Sequence, residues 1–355
     1  MGHNPRMLRP SLATFRHARS LTGTITFACL AGQALATDVL LIPDSGNDRI
    51  WMASPVDGSI LDDSFIGPDA FLSQPIQIIP SGTGTLLVTD ENRDAVFEYS
   101  GFGNYRRTIA GPEHGVDRAY GICVKDGFAY FTSVGNRKVF RVNLAGGVPE
   151  VFCDFIDRGD PRGIQPFGSG FLVGNSTTDD IEIVTATGAI QPTPFHTSDG
   201  LLGINFPQQM HPLEGGNWIA TGFSAPWGIY FYDSLGFQYS AYASPEVYLS
   251  PRGCYLLDNG DLLYTGGTRI DRIAIKTATN QNLVNQIGTS FRWIDRFTLP
   301  ESCTGDLNGD LSVDAADLAE LLGAWGTASK TADLDGNGQV DAADLAVMLG
   351  VWGPC

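Results

Sequence analysis

Between Asp38 and Pro300 the apolar residues fall in short runs, such as Asp38–Ile42, Ile76–Ile79, Thr85–Thr89 and Ala95–Tyr99, split by Gly, Asn, Asp and Pro. No stretch there sustains apolar side chains at helical spacing, so the region reads as many short strands. The pattern changes after Cys303. Leu318-Ala-Glu-Leu-Leu-Gly-Ala-Trp325 and Leu345-Ala-Val-Met-Leu-Gly-Val-Trp352 place leucines and their neighbours at i, i+3 and i+4. Each then has one apolar face, and two short helices are predicted to bury those faces against each other. The fold expected is a large all-β domain followed by a small all-α one.

The strands recur as a unit. One strand ends near Asp44, Asp90, Ser133, Asn175, Gly222 or Gly266; after a turn the next carries Ile50, Val96, Val139, Ile181, Ile229 or Ile273. Those six β-branched residues are 46, 43, 42, 48 and 44 positions apart. Four short strands per unit at such a period are the signature of a β-propeller, here with six blades. Pro75-Ile76, Tyr120-Gly121, Arg162-Gly163, Pro207-Gln208 and Pro251-Arg252 open units two to six. Unit one lacks an opening strand, and Phe291–Leu299 is left over. That run is expected to close the ring as the innermost strand of the first blade, because an open ring would expose two sheet edges.

The turns Asp44-Ser-Gly-Asn-Asp-Arg-Ile50 and Asp90-Glu-Asn-Arg-Asp-Ala-Val96, and more loosely Ser133-Val-Gly-Asn-Arg-Lys-Val139, resemble the NHL family of six-bladed propellers. The likeness fades in units four to six, where Gly222 and Gly266 replace the acid. Asp44 and Asp90 are read as turn formers that bond backbone amides, with a polar channel mouth as the alternative.

The tail repeats one acidic loop at an offset of 27 residues. Oxygen-bearing side chains occupy loop positions 1, 3, 5, 9 and 12 as Asp306, Asn308, Asp310, Asp314 and Asp317, then as Asp333, Asp335, Asn337, Asp341 and Asp344. Position 7, which gives a backbone carbonyl, is Ser312 or Gln339. A hard cation with six to eight oxygen ligands needs this spacing, and calcium accepts it more readily than the stricter magnesium. The two loops, each with only an exiting helix, resemble a type I dockerin over about 306–353. The resemblance implies two Ca2+ sites and a cohesin-type protein as partner, in extracellular systems that often break down polysaccharides. Position 6 is Gly338 in the second loop but Leu311 in the first. A left-handed leucine costs about 1–2 kcal/mol, so the first site is expected to be weaker. The positions that help read the partner are Ala315, Ala316, Ala342 and Ala343, which offer it no hydrogen bonds.

Residues 1–36 hold four arginines, no acid, an uncharged run from Leu21 to Ala36 and the ending Ala-Leu-Ala, which reads as a secretory signal. Domains are thus expected at 1–36 (signal), 37–300 (propeller) and 301–355 (dockerin-like), with a hinge at 299–302. Without those arginines 18 basic residues face 39 acids, about −21, of which about −8 is in the tail. Such a charge disfavours nucleic acid and anionic membranes as partners. Cys303 and Cys355 bracket the calcium module and are expected to form a disulfide, which closes a loop worth about 4 kcal/mol. Cys123, Cys153 and Cys254 lie in apolar strands and read as buried thiols.

Catalytic signatures are sparse. No Gly-x-Ser-x-Gly, His-Glu-x-x-His or phosphate loop occurs. Related propellers that hydrolyse sugar lactones hold a metal through a Glu, Asn and Asp set, and no unit here opens on a Glu. Channel-lining candidates are Gln77, Asn92, Arg118, Arg162, Asn175, Gln208 and Arg252, while His114, His196 and His211 are expected in connections. Trp218, Trp227, Tyr230, Tyr232, Phe237, Tyr239 and Tyr242 crowd unit five, as core or as a carbohydrate platform. Glycan or protein recognition, or hydrolase or lyase action on a sugar or sugar lactone, are the functions left open for the propeller. The tail could also be a stabilising calcium module without a docking role.

Overall fold

The computed structural model describes residues 37–198, 201, 203–243, 247, 250–300, 303–309 and 312–354. The expected signal segment therefore lies outside the described residues, as do Asp310, Leu311 and Cys355.

Residues 38–298 form six blades. Blade 1 holds β1 (Asp38–Asp44), β2 (Arg49–Ala53) and β3 (Ile60–Ile66), and blade 2 holds β4 (Pro75–Pro80), β5 (Thr85–Asp90), β6 (Ala95–Ser100) and β7 (Tyr105–Ala110). Blade 3 comprises β8 (Ala119–Lys125), β9 (Phe128–Ser133), β10 (Lys138–Asn143) and β11 (Glu150–Asp154). Blade 4 has only β12 (Pro161–Phe167), β13 (Gly170–Asn175) and β14 (Ile181–Val184). Blade 5 is β15 (Pro207–Pro212), β16 (Trp218–Gly222), β17 (Gly228–Tyr232) and β18 (Gln238–Ala243). Blade 6 is β19 (Gly253–Leu256), β20 (Leu262–Gly266), β21 (Arg269–Ala274) and β22 (Thr279–Asn285).

The ring closes as the spare run requires. β23 (Asp295–Thr298) pairs antiparallel with β1, Asp38 facing Thr298 and Leu41 facing Asp295, and becomes the innermost strand of blade 1. Blade 4 departs from four strands. Its outer edge is reduced to two isolated bridges, Val184 with Ile190 and Ile181 with His196, because Pro192 and Pro194 remove ladder donors from the segment.

Alternation along the second strands builds the core. Val39 and Leu41 pack toward blade 2 with Ile78, Val88 and Phe97. Leu40 and Ile42 point the other way, onto Leu263, Ile270 and Ile294. Strands apolar on both faces therefore sit between two neighbours, and each such side chain contributes about 1.5–3 kcal/mol of burial. Asp44 and Asp90, both fully buried, bond backbone: Asp44 Oδ1 accepts from Gly46 N at 3.1 Å and Ser290 N at 2.8 Å, and Asp90 Oδ2 from Ser73 N and Gln74 N. They form turns and also fasten the incoming innermost strand. Cys123, Cys153 and Cys254 are buried free thiols.

A threonine near the end of a second strand latches one blade to the next. Thr89 Oγ1 donates to Tyr120 O at 2.5 Å, Thr132 Oγ1 to Arg162 O at 2.7 Å, Thr221 Oγ1 to Arg252 O at 2.8 Å, and Thr265 Oγ1 to Arg292 O. Pro43 and Gly174 hold the same place in blades 1 and 4. Two openings, Tyr120-Gly121 and Arg162-Gly163, carry Gly because the blades nearly touch there: a Cβ on Gly121 would lie 2.2 Å from Arg162 O, and one on Gly163 2.4 Å from Gln208 O.

The tail has two helices, α1 (Ala315–Gly323) and α2 (Ala342–Gly350), and a short ribbon of β24 (Ser312–Val313) with β25 (Gly353–Pro354). Val313, Leu321, Val340 and Met348, all fully buried, form its core. Asn104 Nδ2 in the connection between β6 and β7 donates to Asn308 O at 3.1 Å, so the first loop rests on blade 2.

Candidate functional site

The tail loops wind around their own carboxylates. In the second loop, carboxylate oxygens of Asp333, Asp335 and Asp344 lie within 4.8 Å of one another. Backbone amides hold them there: Asp333 accepts from Asn337 N and Gly338 N, and Asp344 Oδ1 accepts from Leu334 N at 2.6 Å and Asp335 N at 3.0 Å. Backbone amides, that of Asp341 first and then those of Asp335 and Leu334, keep the Asp344 carboxyl below the usual aspartate range, so it stays ionised. The left-handed backbone at position 6, where Gly338 has φ +95°, makes the sharp turn. In the first loop Asp317 Oδ1 takes Leu307 N and Asn308 N in the same way, and Asp306 Oδ1 takes Gly309 N.

The donor set fits a hard cation. Asn308 Oδ1 is a buried acceptor without a hydrogen-bond partner among the described residues, as an oxygen reserved for an ion would be. Position 9 has a second role that its spacing did not reveal. Asp314 and Asp341 are helix N-caps that accept from Ala316 N and Ala343 N at 2.7 Å, and their own amides donate to Asp317 and Asp344. Each loop thus fixes the start of its helix. Ser312 lies in β24, while Gln339 and Asn337 are exposed, with Gln339 N donating to Asn337 Oδ1. Asp310 falls outside the described residues. Cys303 is disulfide-bonded, and the β24–β25 pairing sets Ser312 opposite Pro354, next in sequence to Cys355.

Residues 304–349 match the Dockerin type I domain. No curated protein matches the chain. Among solved structures, the propeller is similar to a chain of a nidogen/laminin complex (12% identity, TM-score 0.58, covering 75% of this chain and 100% of that one). It is also similar to a protein from Bacteroides caccae (14%, 0.57, 74% and 99%) and to a streptogramin B lyase (18%, 0.51, 73% and 91%). At these identities the likeness is one of fold. The dockerin supplies a cohesin-docking module, and calcium binding comes with it. Dockerins are typically extracellular or on the cell surface; among the described residues no helix is long and apolar enough to cross a membrane.

The dockerin leaves apolar side chains uncovered. Leu322 and Trp325 follow α1's buried Leu321, and Leu349 and Trp352 follow α2's buried Met348, all four 44–55% exposed. Each pair is related by the 27-residue offset of the loops. Extending that offset past the loops into the helices would have found them. Ala315, Ala316, Ala342 and Ala343 are exposed at the helix starts.

The propeller channel is plugged. Asp295 Oδ2 accepts from Gln77 Nε2 at 3.0 Å and Gln209 Nε2 at 3.1 Å, while the other amide oxygens take Ile122 N, Cys254 N and Ile294 N. Five blades are joined through three side chains. Burial pushes the Asp295 carboxyl well above the aspartate range. Of the expected lining residues, Gln77 belongs to this plug, Arg162, Gln208 and Arg252 sit at one mouth, and buried Asn175 donates to Arg158 O. Asn92 and Arg118 are exposed. His211 corrects the sequence reading: it lies within strand β15, not a connection, and its Nε2 faces Ile294 O at 2.9 Å. The opening read at Pro207-Gln208 runs on as strand to Pro212, past the point where a connection was expected. In blade 5, Trp218, Tyr230 and Tyr232 are core, whereas Phe237 and Tyr239 are exposed on the outer edge.

Proposed function

We propose that this is a secreted protein whose dockerin, ordered by calcium in two loops, tethers a recognition propeller to a cohesin-type partner. The observation that carries the reading is the duplicated, uncovered face of Leu322, Trp325, Leu349 and Trp352, held in place by helices that the calcium loops cap. Unneutralised carboxylates oppose folding of the loops, so the ion would create the face. The ligand set is Asp306, Asn308, Asp310, Ser312 O and Asp317, then Asp333, Asp335, Asn337, Gln339 O and Asp344, with Asp314 and Asp341 acting at position 9. Leu311 stands where the second loop uses Gly338 at φ +95°, which supports a weaker first site. The disulfide Cys303–Cys355 would close the module, and extracellular polysaccharide binding or breakdown is the setting this architecture supports.

A recognition role for the propeller is supported by its channel, where described side chains converge as amides, rings and arginines around one carboxyl already bonded to two glutamines. Catalysis on a sugar or sugar lactone is the competing reading, and a glycan array and a sugar-lactone screen would separate the two. The docking test is binding of the full chain to purified type I cohesin modules by calorimetry. Binding should require calcium and weaken at least tenfold when Leu322 and Leu349 are both changed to Ala. If no cohesin bound while calcium still raised the melting temperature, the tail would be a stabilising module only.

A further inference from the structure

One residue near the start of each innermost strand stands at a common level: Ile76, Tyr120, Arg162 and Gln208 within their strands, Arg252 just before β19 and Arg292 three residues before β23, the last two set there by the Gly253–Thr265 pair and the Asp44–Phe291 bridge. Pairing of the preceding residues, Pro75 with Asp90, Ala119 with Ser133, Pro161 with Asn175 and Pro207 with Gly222, fixes this level, and an irregularity in the ladder follows each. Such bulges re-aim a side chain. Three of the six positions are arginines on one rim of a domain whose net charge is about −13.

Among the described residues, eight other propeller arginines meet a carboxylate: Arg49, Arg107, Arg118, Arg137, Arg141, Arg269, Arg272 and Arg296. None of the three rim arginines does so among the described residues. Arg162, only 9% exposed, lies 4.6 Å over the Tyr120 ring and 4.5 Å from that of Phe206, with Nε on Ser176 Oγ. Arg292, 6% exposed, gives its Nε to Ser45 Oγ, and Arg252 stacks 4.9 Å over Phe223 with its Nε lacking a partner among the described residues. Each guanidinium carries five donors, so most of this hydrogen-bonding capacity is not used by the fold. Beside them Trp293, 1% exposed, has an indole Nε1 with no hydrogen-bond partner among the described residues and sits 5.5 Å from the Tyr120 ring. Shielded donors and unpaired like charges are costly to gather in one place. They become favourable together when an anion joins them.

We propose that this mouth, ringed by Arg162, Arg252 and Arg292, binds a small oxyanion-bearing ligand. The arginines would supply forked, charge-assisted hydrogen bonds to a carboxylate, sulfate or phosphate group. Surrounding negative charge confines the attraction to the rim, so that recognition depends on the anionic group entering between the blades.

The test is calorimetric titration of the calcium-loaded full chain with sodium sulfate, inorganic phosphate and D-galacturonate, each against chloride at constant ionic strength. At least one should bind saturably, and the one that does separates a tetrahedral anion from a carboxylate. Arg252→Gln and Arg292→Gln should each weaken it about tenfold, the loss expected for one charged hydrogen bond. Arg272→Gln, at an arginine paired with Asp261, should leave it unchanged. Arg252→Lys guards against misfolding: with the melting temperature unaltered, binding should still fall several-fold because the fork is gone. No saturable binding by the wild-type chain, or binding that survives both glutamine substitutions, would overturn the proposal.

Discussion

Thr132 shows how much one hydroxyl does in this ring. It donates to Arg162 O across the blade boundary at 2.7 Å and accepts Gly121 N at 2.8 Å within its own blade. Thr132→Val keeps the shape but leaves both partners unsatisfied, and should cost about 1–2 kcal/mol, read as a lower denaturation midpoint. His211 makes a prediction for pH. Burial lowers its pKa to about 4 from the usual 6.5. Between those values the unfolded chain takes up a proton that the folded chain refuses, so stability is lost as pH falls through this window. His211→Gln, which can still donate to Ile294 O, should flatten the melting-temperature profile there. In the dockerin, Asp344→Ala should abolish the tighter of two unequal calcium sites in a calorimetric titration; equal sites in the unaltered chain would contradict the argument from Leu311. The spacing of oxygens made these loops legible at the residue level. It could not show that Asp314 and Asp341 double as caps, because one carboxylate serves either purpose.

At the scale of elements, the strands were readable where apolar runs are bounded by turn residues, as in blade 2, whose first three strands each match the expected runs to within a residue at either end. Legibility failed at the far end of β15, where His211 beside Pro212 read as a connection, and where prolines prevent a strand, at the edge of blade 4. Of the rim arginines, Arg162 and Arg252 were visible as unit openings, while Arg292 lay unremarked in the closing run Phe291–Leu299. Their common level was not visible, since it depends on ladder register across blades far apart in sequence. β23 adds a test. A chain ending at Leu299 should unfold cooperatively and without regard to calcium, whereas one ending at Ser290 should lack a cooperative transition, because β1 would have no inner partner.

For the whole molecule, charge and topology set the behaviour. The dockerin's acids demand counter-ions, so chelation should melt the tail and spare the ring, visible as two separated transitions in calorimetry. The seam between β1 and β23 has a mechanical meaning as well. Anchored through its last fifty residues, the protein would receive any tug from its mooring directly at Thr298, the end of the strand that buckles the ring shut. Pulling on the tail would therefore strain the buckle before any other blade. The four paired residues from Asp38 to Leu41 then decide how firmly the passenger withstands being held.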